Sequence, residues 1–252
     1  MRKIAFSINS LSDGGAEKVV KLLVETLHVE NINVELICVE KNSIHNVDTN
    51  INIYYLSNLT GKESGLTKLL YIPLLAYRLM KHIKNHDIKL VQSHLFRANY
   101  INIVSKVLFR SKHTVQVVNH SIISRYKNEG FVGKINLALI KILYPDANNI
   151  ISVSKIVQND MQNLFNFINK LNVIHNPFDI RYIDNLSQDI IENFSFNETK
   201  KYIISVGRLI KLKRNKDLIY SLTQLNNNIE IIFIGEGPEK RNLQKLSKEL
   251  GV

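Results

Sequence analysis

Arg208 and Lys213 are the residues of this 252-residue chain whose type and spacing point most directly to chemistry. Arg208 follows an apolar run, Tyr202 to Val206, that reads as a strand, and Lys213 can fold back over the same strand end. Two fixed cations there, with a helix starting nearby, suit a diphosphate leaving group. The competing reading is a solvated basic loop, because Lys211, Arg214 and Lys216 crowd the same stretch. A second candidate is Gly14-Gly15, just after the strand-like Ile4 to Ile8 and just before a helical run. Ligands of parallel sheets sit at such strand ends, where glycines let them approach the N–H groups at the positive end of a helix. The pair serves equally well as a tight turn. Its surroundings match neither GxGxxG nor a phosphate loop, since no Gly-Lys-Ser/Thr follows.

Histidines supply the remaining candidates. His94 and His120 each close a predicted strand, where a histidine either caps and packs or meets a ligand. His82 and His86 stand four apart on a predicted helix, a spacing that can hold a metal. No third ligand is evident, so no metal site is expected, and a lysine-rich surface helix accounts for the pair.

The elements that must position these residues alternate in type along the chain. Strands are predicted at Ile4 to Ile8, Val34 to Val39, Ile51 to Leu56, Leu90 to Gln92, His113 to Val118, Asn149 to Val153 and Leu171 to Ile174. Between them lie a helix carrying Ala16, Val19, Val20, Leu23 and Leu27 on one face, then helices at Ala98 to Phe109, Lys134 to Leu143 and Lys155 to Leu164. Leu66 to Lys84 is helical in pattern, with Pro73 as a kink or a restart. Repeated βα order implies a doubly wound α/β sheet filling residues 1–178. Residues 179–199 turn polar and read as a linker. The pattern restarts in residues 200–252 with strand Tyr202 to Val206, helix Lys216 to Leu225, strand Ile229 to Ile234 and helix Glu239 to Leu250. Two βα units leave an apolar edge and face uncovered, so the second domain is expected to be incomplete.

Composition bounds the partners. A net charge of +11 suits nucleic acid, anionic lipid, phosphorylated small molecules or a plain compositional bias, and no RNP, zinc-finger or helix-turn-helix signature supports the first. The one cysteine, Cys38, lies in an apolar run, which excludes a disulfide framework and fits a buried thiol in the cytosol. The apolar run after Met1-Arg2-Lys3 is broken too soon by Ser7, Asn9, Ser10 and Asp13 for a signal peptide or a membrane span.

With these residues in view, the chain resembles the retaining glycosyltransferases of family four, which have the GT-B fold of two Rossmann-like domains. The resemblance rests on Gly14-Gly15-Ala16-Glu17, Ser93-His94, Asn119-His120, Val153-Ser154 and Ile174 to Asp179, where the family more often has Pro-Asn-Gly. It continues through Val206 to Lys213 and Gly235-Glu236-Gly237-Pro238, the most specific pair. It implies sugar transfer from a nucleotide donor, UDP- or GDP-linked, without cofactor or metal. Gly14, Gly15, Arg208, Lys213, Gly235 and Gly237 would bind the donor, and Glu17, His94, Asn119 and His120 the acceptor side. His120 would lie beside the transferred sugar, with Arg208 and Lys213 stabilising the departing diphosphate. The family's C-terminal domain continues with a glutamate pair that this chain does not contain, so weak activity of the chain alone is expected.

The acceptor is less legible. Leu66 to Lys84 mixes Leu69, Leu70, Ile72, Leu74, Leu75 and Tyr77 with Lys68, Arg78, Lys81 and Lys84, which suits either an anionic membrane surface or an ordinary amphipathic helix. Lipid-linked glycans, polysaccharide or lipopolysaccharide precursors fit as acceptors, placing the protein in the cytoplasm or peripherally on the inner membrane face. A non-catalytic glycan- or partner-binding module and a GT-B sugar-nucleotide epimerase are the alternatives.

Overall fold

Hydrophobic alternation along Lys3–Ile8 (β1) divides the N-terminal unit into two cores. Ala5 enters one with Leu75, Leu79, Ile101 and Val115, while Phe6 and Ile8 enter the other with Val20, Val24 and Leu36. Successive strand side chains point to opposite faces, so a sheet with both faces apolar must be covered on both. The structure, a computed structural model, describes residues 3–12, 14–42, 47, 50–165, 170–192, 194–225 and 228–252. Met1, Arg2 and Asp13, used in the sequence reading, lie outside them.

After β1 come α1 (Gly15–Val29), β2 (Val34–Cys38), β3 (Ile53–Tyr55), α2 (Gly65–Leu70) and α3 (Ile72–Asn85). They are followed by β4 (Ile88–His94), α4 (Phe96–Val107), β5 (Thr114–Asn119), α5 (Gly130–Leu143), β6 (Asn149–Ser152), α6 (Lys155–Leu164) and β7 (Leu171–Val173). All neighbouring strands are parallel, in the order β3-β2-β1-β4-β5-β6-β7. Helix α1 covers one face through Ala16, Val20 and Val24, and α3, α4 and α5 contribute Leu79, Ile101 and Ile140 to the other. This is the doubly wound α/β arrangement expected, and its ligand edge is the carboxyl end of the strands. The opposite edge holds tight returns: Asn31, Asp87 and Arg110 adopt φ of 58°, 51° and 53° just before β2, β4 and β5. Left-handed residues of this kind end helices.

Pro73 marks a restart rather than a kink. It occupies the first turn of α3, where its missing N–H breaks no intrahelical bond, and Tyr71 closes α2. His82 departs from the surface position expected for it. Its ring is 5% exposed, stacks on Tyr54 at 3.7 Å and bonds Glu35 at 2.6 Å, because α3 turns this residue inward beside Leu79 and Ile83. Burial alone would raise the Glu35 carboxyl, but hydrogen bonds and charge from His82 and Lys3 outweigh it and hold the pKa below the usual range. Among the described residues no group of three metal-ligating side chains occurs. Burial also pushes the Cys38 thiol up to about 12.

A buried polar cluster ties α4 to the sheet. Asn102 donates to the Val91 carbonyl and to Ser93 Oγ, both at 3.0 Å, and its Oδ1 accepts from His113 Nε2 at 2.8 Å. Burial first, and Lys106 second, lower the His113 pKa to about 4.

The chain divides at Tyr182/Ile183, within a helix, α7 (Ile180–Leu186), that occupies part of the stretch read as linker. The second unit contains β8 (Lys201–Val206), α8 (Asn215–Leu222), β9 (Ile229–Ile234) and α9 (Lys240–Leu250), with β8 and β9 parallel. Its buried core is Leu209, Ile219 and Leu243, whereas Ile203, Ile204, Val206 and Ile234 stay exposed. A cavity of about 1050 Å³ lined by Leu222, Ile231, Phe233 and Leu243 opens on this thin core. No described helix is long and apolar enough to cross a membrane.

Candidate functional site

Each unit gathers its candidate residues at the carboxyl ends of its own strands. In the second unit the strand ends are stitched together by glycines. Gly207 and Gly235 have φ of +148° and +152°, values that side-chain-bearing residues rarely adopt. A Cβ on Gly235 would stand 2.0 Å from the Gly207 carbonyl oxygen, and one on Gly237 would stand 2.3 Å from that of Leu209. Backbone bonds from Gly207 to Ile234 and from Leu209 to Glu236, each 2.9 Å, lace the two loops.

Lys213 folds back over this platform, its Cε 3.8 Å from the place a Gly207 Cβ would take. Arg208 and Lys213 are both exposed, and among the described residues neither forms an ion pair. Of the neighbouring cations, Arg214 pairs with Asp217 at 2.6 Å and Lys240 with Glu236 at 2.6 Å, while Lys211 and Lys216 are exposed and lie away from the Gly207 turn over which Lys213 folds. Two uncompensated cations beside stitched backbone are an anion-receiving arrangement.

In the N-terminal unit Gly14 caps α1 in extended conformation, and Glu17 bends back over it. A Cβ on Gly14 would stand 2.2 Å from the Glu17 carboxylate, so a side chain there would push Glu17 aside, while Gly15 faces open space. Ser12 Oγ donates to Glu17 Oε1 at 3.1 Å. Glu17 thus presents acceptor oxygens above the helix start, a favourable place for its charge.

His120, just past β5, is partly exposed, and the backbone behind it is anchored because Asp160 Oδ2 accepts from the N–H groups of Ile123 and Ser124 at 2.7 and 2.9 Å. His94 and Asn119 were expected to line the acceptor side, and the structure buries both side chains. His94 is 1% exposed, with Nδ1 at 2.9 Å from His120 Nε2 and Nε2 at 3.1 Å from Gln92 Oε1. Asn119 is equally buried, accepting from Tyr144 Oη at 3.1 Å and directed toward Met161 Sδ. The strand geometry that carries them to the ligand edge also turns their side chains into the core. Burial lowers the pKa of His120 to about 4 and that of His94 well below its ordinary value, the latter also through His120. Both rings are neutral at physiological pH.

Gln92 and Gln116 were missed from sequence. They are register partners on β4 and β5, and Gln92 Nε2 donates to Gln116 Oε1 at 2.9 Å. A polar residue inside each of two apolar parallel strands, close before each histidine, was the available signal.

Comparison with known proteins bears on what this arrangement serves. A family model described as Glycosyltransferase Family 4 matches residues 13–182, and one described as Glycosyl transferases group 1 matches residues 187–252. An N-acetylgalactosamine-N,N'-diacetylbacillosaminyl-diphospho-undecaprenol 4-alpha-N-acetylgalactosaminyltransferase from Campylobacter jejuni is 31% identical over 255 residues, covering 100% of this chain and 67% of that protein. Among solved structures, the lipopolysaccharide outer core galactosyltransferase WaaB in its apo form superposes with a TM-score of 0.68 at 19% identity, covering 99% of this chain and 65% of that one. Anabaena Alr3699/HepE in complex with UDP and glucose gives 0.69 at 16% identity, covering 100% and 67%. The chain therefore spans about two thirds of the length of these proteins, and its fold is of the GT-B type.

Proposed function

This chain belongs to glycosyltransferase family 4, and from that premise we propose that the protein transfers a sugar from a nucleotide donor to a lipid-linked glycan, with retention of configuration. The observation that carries this reading is the unpaired Arg208 and Lys213 over the stitched strand ends of β8 and β9. As the bond between sugar and diphosphate breaks, negative charge grows on the departing nucleoside diphosphate, and fixed cations stabilise that state more than the ground state. A new glycosidic bond forms to an acceptor hydroxyl, whose proton passes to the departing diphosphate. In this reading His120 serves the transferred sugar, and the Gly14-Gly15 turn with Glu17 serves the sugar and acceptor hydroxyls. Gly235 and Gly237 keep the donor loops close.

The acceptor class is suggested by the name of the Campylobacter relative, which acts on a diphospho-undecaprenol-linked sugar. The donor nucleotide is suggested by UDP in the Anabaena complex. Leu66, Leu70, Tyr71, Leu74 and Tyr77 on α2 and α3 are exposed beside exposed Arg78, Lys81 and Lys84. Apolar side chains rimmed by cations suit the surface of an anionic membrane, where such an acceptor resides, and support a reaction at its cytoplasmic face.

Incubation with UDP- and GDP-sugars and a polyprenyl-diphosphate glycan, read by mass spectrometry of the lipid product, tests the proposal. An acceptor extended by one sugar, with or without EDTA, is the expected result. Nucleotide-sugar hydrolysis or epimerisation without an extended acceptor would overturn it.

A further inference from the structure

The geometry points to a proton-ordered relay running from Gln116 through Gln92 and His94 to His120. In it His94 is a positioning residue that holds His120 as the Nε2–H tautomer and leaves the His120 Nδ1 lone pair to accept from a sugar hydroxyl.

The order follows from donor and acceptor accounting. Gln92 spends its amide N–H on Gln116 Oε1 at 2.9 Å, so its Oε1 is what faces His94 Nε2 at 3.1 Å, and that nitrogen must carry a hydrogen. A neutral imidazole has one N–H, so His94 Nδ1 is an acceptor. Its partner at 2.9 Å, His120 Nε2, is therefore the donor. His120, neutral as well, keeps a lone pair on Nδ1, which makes no hydrogen bond among the described residues. Two neighbouring imidazolium ions, one of them 1% exposed, would be costly to bury, which keeps the pair in this neutral arrangement.

Each link is placed by the fold. The two-residue period of β4 sets Gln92 and His94 on the same face, and the β4–β5 register sets Gln92 beside Gln116. The remaining nitrogen of His120 then discriminates chemically. A lone pair accepts the proton of a hydroxyl and repels the oxygens of a phosphate, so this half-site reads the uncharged part of a substrate. The hydroxyl step rests on the transferase reading, whereas the proton order does not.

Long-range ¹H–¹⁵N correlation on the histidine-labelled chain at neutral pH reads the tautomers directly. Pyridine-like Nδ1 on both His94 and His120 is expected, and a protonated Nδ1 on His120 would overturn the relay. His94→Phe retains a ring but removes the acceptor, and Gln92→Met removes the first orienting oxygen. Either should turn His120 into a tautomer mixture, while Gln92→Glu should preserve its state. Should His94→Phe fail to fold, Gln92→Met carries the same test, and an unchanged tautomer there would overturn the relay. In transfer assays the tautomer-mixing variants should lose about tenfold in kcat, the worth of one hydrogen bond, with the nucleotide-sugar KM nearly unchanged. Mixed tautomers with unchanged kcat would overturn the positioning role. No transfer by the unaltered protein would overturn the transferase reading alone, leaving the tautomers to decide the relay.

Discussion

Arg208 and Lys213 differ from Lys211 and Lys216 in place rather than in charge. Lys213 is drawn over the β8 end at Gly207, and Arg208 directly follows that glycine. Loss of a cation acting on a developing diphosphate costs on the order of 3 kcal/mol, about a hundredfold in rate. Arg208→Ala and Lys213→Ala should therefore each cut kcat to that extent, with Lys211→Ala and Lys216→Ala near the parent. Steady-state kinetics with saturating acceptor make the comparison, and four equally harmless substitutions would remove the donor site. A stability prediction follows from His113. Its folded pKa of about 4 lies below the unfolded value, so the unfolded chain binds the proton first and stability is lost as pH falls from about 6.5 toward 4. His113→Gln should remove about 2 kcal/mol of the loss between pH 7 and 5, measured by urea unfolding at both. A parallel decline in the two proteins would mean that His113 is not the source. The types and spacing of these residues were legible because charge and glycine announce themselves at strand ends. The inward turn of His94 and Asn119 was not, since a residue at the end of a buried strand faces core or solvent according to a pleat phase that one register step reverses.

At the scale of elements, the alternation of apolar runs carried nearly every strand and helix of the N-terminal unit, because parallel strands buried on both faces are continuous apolar blocks. Helix α7 escaped notice: seven residues with no buried member leave no amphipathic signal. His82 was misjudged because Arg78, Lys81 and Lys84 on the outer face of α3 conceal that its inner stripe, Leu75, Leu79, His82 and Ile83, is continuous. The outer face gives a second test. Sedimentation with phosphatidylglycerol vesicles should be strong at low salt, fall as salt rises, and weaken when Arg78, Lys81 and Lys84 become glutamine. Equal binding to neutral vesicles would reduce α2 and α3 to ordinary covering helices. The glycine stitching of the second unit makes a sharper claim. A Gly235→Ala methyl would lie 2.0 Å from backbone rather than from a movable side chain, in a φ region closed to alanine. It should destabilise that unit by roughly 2–3 kcal/mol, whereas Gly15→Ala, in open space, should be nearly silent. Thermal unfolding of both variants decides this.

At the scale of the molecule the two units are unequal. The first closes two apolar cores over its sheet, while the second buries Leu209, Ile219 and Leu243 and leaves Ile203, Ile204, Val206 and Ile234 in solvent. Apolar burial is the main favourable term in folding, so amide hydrogen exchange should show β8 and β9 opening at far lower free energy than β1, β4 and β5. Equal protection would mean that contacts absent from this description sustain the second unit. That imbalance was readable from the count of βα repeats, since a pair of strands has little to enclose.

The parallel sheet also sorts the N-terminal unit into a working rim and an idle one. Every strand runs from the returns at Asn31, Asp87 and Arg110 toward the histidines and the glycine turn. Six residues of strand separate the rims by about 20 Å. For anyone wishing to tether, label or immobilise this protein, the idle rim is the natural handle: a cysteine placed at exposed Asn31 or Arg110 would carry a dye or a surface linker while the edge that carries the candidate residues stays uncovered.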